Sequence, residues 1–412
     1  MSNKKGMAAM TTATEKSVLL PKLRFPEFLK TDGWRGEKLE KLVTTVSPPV
    51  KLQTSSYLLQ GKFPIIDQSQ DTICGWTNDE STLITEPLPL IVFGDHTCTL
   101  KFVEKPFAQG ADGIKILKSN PIISAAYLFQ SLNHSPLVME DYKRHFSILK
   151  KRVIYFPDVK TGEQQKIADC LGSIDELITL ESQKLNALKR HKKGLMQQIF
   201  PAKGETAPRL QFPGFLNVGR WEFTPLNKLA RRCTQRNRNG EITRVLTNSA
   251  EYGVVDQRDY FDKDIATQGN LENYYIVEKG DYVYNPRISA TAPVGPISKN
   301  NVATGVMSPL YSVFRFFDDR NDFYAHYFKT TGWHQYMCQA SSTGARHDRM
   351  AITNNDFMAM PLPVSTSEEQ QKIADCLTSL DDRITSQTQK IESLKTHKKG
   401  LMQQLFPTMG EV

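Results

Sequence analysis

Residues 163–202 read EQQKIADCLGSIDELITLESQKLNALKRHKKGLMQQIFPA, and residues 369–408 read EQQKIADCLTSLDDRITSQTQKIESLKTHKKGLMQQLFPT. Aligned without a gap, the stretches agree at 27 of 40 positions, so the chain is written twice. In the first copy apolar residues fall at Ile167, Leu171, Ile174, Ile178, Leu185, Leu188, Leu195 and Ile199. In the second they fall at Ile373, Leu377, Leu380, Ile384, Ile391, Leu394, Leu401 and Leu405. With the polar positions Glu181, Lys192, Gln387 and Lys398 counted in, the steps alternate between four and three residues. That is the heptad pattern of helices packed through a narrow seam. Thr161-Gly-Glu-Gln164 and Ser367-Glu-Glu-Gln370 read as capping boxes, and Pro201 and Pro407 as stops. About 37 residues at ~1.5 Å rise each give a rod of roughly 55 Å.

Helices packed on their own domains and a homodimeric coil are the alternatives. The expected arrangement is an antiparallel pair within one chain, with pseudo-twofold symmetry. The expected register sets Glu181 opposite Lys398, Lys192 opposite Gln387, Leu185 against Leu394 and Leu188 against Ile391. The neighbouring register puts Glu181 on Ile391 and Lys192 on Leu380, which buries charge against apolar partners.

A weaker duplicate precedes each copy. Pro21-Lys-Leu-Arg-Phe25-Pro26-Glu-Phe28 is echoed by Pro208-Arg-Leu-Gln-Phe212-Pro213-Gly-Phe215, and Trp34 by Trp221. Between these marks, residues 40–155 and 227–360 share a turn-rich, β-branched and aromatic texture but differ in detail. Leu90-Ile91-Val92-Phe93-Gly94 and Gly280-Asp281-Tyr282-Val283-Tyr284 read as strands. The predicted class is α+β: two globular regions joined by two long antiparallel coiled-coil helices. A common frame thus carries two different readers.

The 412 residues are enough for two to three domains, and 39% hydrophobic with 23% charged residues is a globular mixture. No stretch approaches ~18 consecutive apolar residues, so no membrane span is expected. Residues 1–20 read as a disordered tail without a signal-peptide core, and a cytoplasmic location is expected. Cys74, Cys98, Cys170, Cys233, Cys338 and Cys376 show no zinc spacing and read as free thiols. A net charge of +8 favours polyanionic partners.

No P-loop, glycine-rich cofactor turn, HxxxH or HExxH is present, so no metal site is expected. Ser47-Pro48-Pro49-Val50 lacks the aromatic fourth residue that an amino-methyltransferase stacks on a flipped base. Asp158-Val-Lys160 reads as linker, and Gly94-Asp95-His96-Thr97 could suggest a catalytic histidine but carries no Ser or Cys nucleophile context. The chain reads as a binder without an active site of its own. Polar tips following apolar strands supply the candidate contacts: Gln68, Ser69, Gln70, His96 and Thr97 in the first half, and Asn285, Arg287, Ser289, Arg346, His347 and Arg349 in the second. Arginine bonds bidentately to guanine, and amides suit base edges. The run Arg231-Arg232-Cys-Thr-Gln-Arg236-Asn-Arg238-Asn239 reads either as a solvated face or as a phosphate contact.

The layout resembles the DNA-specificity subunit of type I restriction–modification enzymes over residues 21–408. Its marks are the twin Glu-Gln-Gln-Lys-Ile-Ala-Asp-Cys-Leu helices behind Ile154-Tyr-Phe-Pro157 and Pro361-Leu-Pro363, with Asp67-Gln68-Ser69 and Gly280-Asp281-Tyr282-Val283-Tyr284-Asn285. The resemblance implies target recognition domains at 21–160 and 203–364, each followed by a spacer helix (161–202, 365–408). It implies that each domain reads one half of a bipartite double-stranded DNA site and that the coil fixes the gap. It also implies two adenine-N6 methyltransferase subunits and restriction/translocase subunits as partners, which would bind the S-adenosylmethionine, ATP and magnesium. A tandem RNA- or ligand-binding scaffold and a self-contained modification enzyme are the rival readings.

Overall fold

The computed structural model describes residues 19–111, 113–139, 144–202, 204–216, 219–260, 268–343 and 348–407. The chain divides into two compact units, Met1–Gln183 with Gln389–Val412, and Lys184–Thr388. Two long helices, Glu163–Ile199 and Ser367–Leu405, are shared between them. The first unit holds the beginning of the first helix and the end of the second. The second unit holds the complementary parts. None of the described helices is long and apolar enough to cross a membrane, and all six cysteines are free.

In the first unit a four-stranded antiparallel sheet runs in the order Val43–Val46, Ile114–Ser119, Leu90–Gly94, Leu100–Val103. All five residues of Leu90–Gly94 are buried, so both faces of that strand need cover. Ile91 and Phe93 pack with helix Ala125–His134 and with Phe406, while Leu90 and Val92 join a smaller cluster around Phe107 on the opposite face. The second unit repeats the order with Ala230–Arg232, Ser312–Phe316, Tyr282–Tyr284, Ile297–Lys299. Here Tyr282, Tyr284, Phe314 and Phe316 enter the main core with Phe200, while Val283 and Val313 face a separate cluster. Different side chains therefore build one sheet topology twice.

The short duplicate ahead of each domain is a hook. In the first unit, Arg24 donates through Nε and Nη2 to the carboxylate of Glu163, at 2.6 Å each, and the Leu23 amide donates to the Gln404 carbonyl at 2.9 Å. The Arg24 and Glu163 side chains are 5% and 0% exposed, so neither charge is shared with water. In the second unit the corresponding carboxylate, Glu369, accepts from Trp221 Nε1 (3.0 Å) and Gln211 Nε2 (3.3 Å), and the Leu210 amide donates to the Gln198 carbonyl (2.9 Å). Each hook thus ties the start of one long helix to the end of the other. An acid in a first helical turn faces the positive end of the helix dipole, and the amide satisfies a carbonyl of a last turn.

Each apolar seam position named above is buried or half-buried, but the register is not the expected one. Lys398 donates to both carboxylate oxygens of Asp175 at 2.6 Å, and Glu181 pairs with Lys390. In the second unit Lys192 pairs with Asp381, the same pair in the other copy. Glu181 therefore stands level with Ile391 and Lys192 with Leu380, the arrangement that the charge argument disfavoured. Seam charges need not meet each other. Instead the long side chains lean out of the seam to carboxylates and an ammonium on its flank, and the hooks fix how far the helices slide. The capping boxes differ as well. Gln164 turns away to donate to the Pro157 (2.8 Å) and Ile122 (3.1 Å) carbonyls and accept from the Ser124 amide. In the second copy Thr366, rather than Ser367, accepts from the Glu369 amide at 3.3 Å.

His326 and Lys329 also gather at Asp381. His326 Nδ1 lies 3.8 Å from the carboxylate and Nε2 is 3.0 Å from the Thr378 hydroxyl. Burial, aided by Lys329 and Lys192, pushes the imidazole down to about 4 against the pull of Asp381 and Asp322. In the first unit Gln130 makes the comparable contact, donating to Asp175 at 2.8 Å.

Two stability tests follow from these contacts. Arg24→Ala leaves Glu163 buried and uncompensated and is expected to cost about 3–5 kcal/mol in urea unfolding. Gln211→Ala leaves the Trp221 bond in place and should cost about 1 kcal/mol. Equal losses for the two variants would contradict the hook energetics. For His326 the unfolded imidazole takes up its proton near pH 6.5, well before the folded one does. Its contribution is therefore intact above about pH 6.5 and lost as pH falls toward 4, by at most about 3 kcal/mol. His326→Gln should flatten the part of the pH dependence of urea unfolding that lies between pH 7 and 4.

Candidate nucleic-acid interface

Strand direction decides which loops meet. In each four-stranded sheet the first and third strands in spatial order are both antiparallel to the strand between them, so they run the same way. The loops after Val46 and Gly94 leave the first unit's sheet at one end. Those after Arg232 and Tyr284 do the same in the second unit.

In the first unit the segment after strand Phe63–Ile66 is fixed against the loop after Gly94. The Asp67 carboxylate accepts from the Ser69 amide at 2.8 Å. The Gln68 carbonyl accepts from the hydroxyls of Thr97 (2.7 Å) and Thr99 (3.2 Å). The buried Lys101 ammonium donates to the carbonyls of Asp67 (2.8 Å) and Asp71 (2.5 Å). Burial lowers the pKa of Lys101 and the nearby Asp67 opposes that shift. A Cβ on Gly94 would fall 2.3 Å from the Thr97 hydroxyl, so the close approach of the two loops needs a glycine there. The structure thus brings Gln68, Ser69, Gln70, His96 and Thr97 onto one surface. The Thr97 hydroxyl is used in holding that surface together, Gln68, Ser69 and His96 are half-buried, and Gln70 is exposed. Asp95 is buried and accepts from the Phe146 amide at 2.8 Å, at the start of the short helix Phe146–Leu149.

In the second unit Asn285 is a turn former. Its amide donates to the Asn248 carbonyl (2.9 Å) and its side-chain oxygen accepts from the Arg287 amide (3.0 Å). The following residues pair with the segment at 348–350: the Ile288 amide donates to the Asp348 carbonyl (3.0 Å) and the Met350 amide to the Pro286 carbonyl (2.9 Å). Arg287 and Arg349 are bridge partners, and each guanidinium lies 3.9 Å from the Asp348 carboxylate. Two arginines far apart in sequence therefore share one counter-charge at one edge, with the Arg287 side chain 69% exposed. Ser289 accepts from the Ala292 amide at 3.1 Å, which again shapes a turn. Arg346 and His347 lie outside the described residues.

Sequence reasoning missed Asn248, which is buried inside a strand and donates to the carbonyls of Val283 (2.7 Å) and Pro296 (3.2 Å). It ties the hairpin Leu246–Ser249/Gly253–Asp256 to the strand that carries Asn285. An amide in the middle of an otherwise strand-like run was the available signal. Among the described residues no His, Cys, Asp or Glu group gathers as a metal site. Among the described residues the surfaces offer guanidinium, amide and hydroxyl donors, which suits recognition of a polar, anionic ligand.

Residues 236–396 match the family model described as type I restriction modification DNA specificity domain. Over 269 residues the chain is 25% identical to the putative type I restriction enzyme MjaX specificity subunit of Methanocaldococcus jannaschii, covering 59% of this chain and 56% of that relative. The match thus spans little more than half of the relative's length. The solved S subunit of a type I restriction–modification system from M. genitalium superimposes with a TM-score of 0.62, at 13% identity, over 95% of this chain and 100% of that one. That likeness is one of fold. With duplicated long helices and two matching four-stranded sheets, the chain is thus similar in fold to a solved type I S subunit, and its second half matches the type I restriction modification DNA specificity domain.

Proposed function

We propose that this chain is a non-catalytic reader of double-stranded DNA, each unit meeting one half of a bipartite site through the loops at one end of its sheet. One observation carries the reading: two four-stranded sheets of identical strand order present different polar residues at matching strand exits. Loop chemistry that varies on a constant frame is what two independent sequence readers require. Arg287 and Arg349 are the groups best suited to guanine edges, and the exposed Gln70 to adenine. The paired helices set the gap between half-sites and offer the docking surface for two adenine-N6 methyltransferase subunits, with restriction/translocase subunits joining that assembly. S-adenosylmethionine, ATP and magnesium belong to those partners in this reading.

Replacing residues 208–364 by the corresponding domain of another specificity subunit should change one half of the recognised sequence and leave the other intact. Sequencing of modified adenines in host DNA reads the outcome, and a swap that altered both halves would sink the two-reader proposal.

The spacing role has its own test. Removing one heptad from each helix at level positions, 182–188 with 384–390, shortens the rod by about 10 Å. At ~3.4 Å per base pair the preferred gap should shrink by about three base pairs, with weaker binding where the accompanying rotation of about a third of a turn is not taken up. Full activity on the original gap would assign spacing to the methyltransferase partners instead.

A further inference from the structure

The loop Thr234–Ile242 of the second unit carries chemistry that base reading leaves unused. It begins where strand Ala230–Arg232 ends, and the Cys233 amide extends the pairing by one bond to the Val313 carbonyl at 2.8 Å. Val313 is also the partner of Val283, so Thr234 leaves the sheet level with Tyr284, just before the Asn285–Ser289 loop begins. Two strand spacings, about 10 Å, separate the exits.

The loop is folded around Asn237, which is 3% exposed. Its amide donates to the Ile242 carbonyl (2.8 Å), its side-chain oxygen accepts from the Ile242 amide (3.1 Å), and its own carbonyl accepts from Gly240 (2.9 Å), whose φ is +65°. With that residue turned inward, Thr234, Gln235, Arg236, Arg238 and Asn239 are exposed. Arg236 is held in place, with its guanidinium 5.8 Å from the Tyr275 ring centroid and Nη1 3.2 Å from Asn273 Oδ1. Arg238 makes no ion pair among the described residues. These side chains, with Ile276, line an open groove of about 520 Å³, in which two guanidinium groups stand against one carboxylate, Glu241. The matching position of the first unit is different. Ser47 and Pro49 line a smaller groove whose two charges, Lys118 and Glu86, neutralise each other at 2.7 Å.

We propose that the Thr234–Ile242 groove binds phosphate groups of the nucleic-acid backbone, gripping the duplex beside the half-site met by Arg287. The inference rests on the DNA-reading proposal and assigns the phosphate grip to the second unit alone. Guanidinium and amide donors in a preformed loop suit phosphate oxygens, and contacts of this kind position a duplex without reading its sequence.

The test uses the full chain and a random-sequence duplex, with binding followed by fluorescence anisotropy between 50 and 200 mM salt. Each lost phosphate contact lowers the salt slope by ~0.9, so Arg236→Gln/Arg238→Gln should flatten it by about 1.8. The fourfold salt increase then costs the variant about 12-fold less affinity than it costs the parent chain. Arg236→Lys/Arg238→Lys should retain the slope. The exposed Arg238→Gln alone should remove about half of the change, which covers the case of a double variant that folds poorly. An unchanged slope would overturn the proposal. So would calorimetric binding of ATP that the double variant loses while its DNA slope stays intact, because the groove would then serve free nucleotides. Arg287→Ala separates the two readings: it should relax sequence preference. If preference survives Arg287→Ala while the double variant loses its slope, base reading by Arg287 fails and the phosphate groove stands.

Discussion

A buried carboxylate in the first turn of each long helix holds the rest in place. Glu163 and Glu369 occupy the same position of the repeat, and both are almost fully removed from water. A lone carboxylate there would cost several kcal/mol, so the hook that supplies its partners has to dock. The two copies reach satisfaction differently. Glu163 takes the guanidinium of Arg24, whereas Glu369 takes the indole of Trp221 and the amide of Gln211. Once Arg24 occupies Glu163, the matching indole nitrogen of Trp34 has no hydrogen-bond partner among the described residues.

Because each hook also closes on the last turn of the other helix, the two units are assembled by the same rule. Phe406 and Phe200, equivalent residues at the helix ends, complete the two main cores. Phe406 packs against Trp34, Tyr127 and His134, and Phe200 against Phe323 and Tyr327. The long helices are polar over most of their surface and gain their stability from these ends and from the narrow seam. The loops at the strand exits contribute little to either core. Their residues can differ between units without disturbing the frame, which is how one architecture presents an amide-rich surface in one half and an arginine pair in the other.

The units are not perfect copies, and several of their differences concern charge. Asp175 accepts from Gln130, while Asp381 sits among His326, Lys329 and Lys192. The first strand exit carries two prolines in one unit and Arg236 with Arg238 in the other. Substitutions of this kind leave strand order intact because they fall where side chains reach water or a single partner.

The sequence by itself determined the duplication, the two helices, the residues of their seam and the strands at Leu90–Gly94 and Tyr282–Tyr284, because such features follow from periodicity along the chain. It also named polar tips, of which Arg287 and Arg349 are bridge partners and Thr97 lies against Gln68. Only the tertiary structure decided what those side chains do. Thr97 and Asn285 have the right chemistry for base edges, yet their polar groups hold neighbouring backbone, since the fold brings Gln68 and Asn248 within hydrogen-bond reach. The coil register was decided in the same way. Heptad spacing fixes which face of a helix is buried but permits slides of one repeat, and long charged side chains can find partners in more than one of them. The hooks, which join residues 139 apart at Arg24 and Glu163, select a single slide, and no local pattern encodes a contact at that separation.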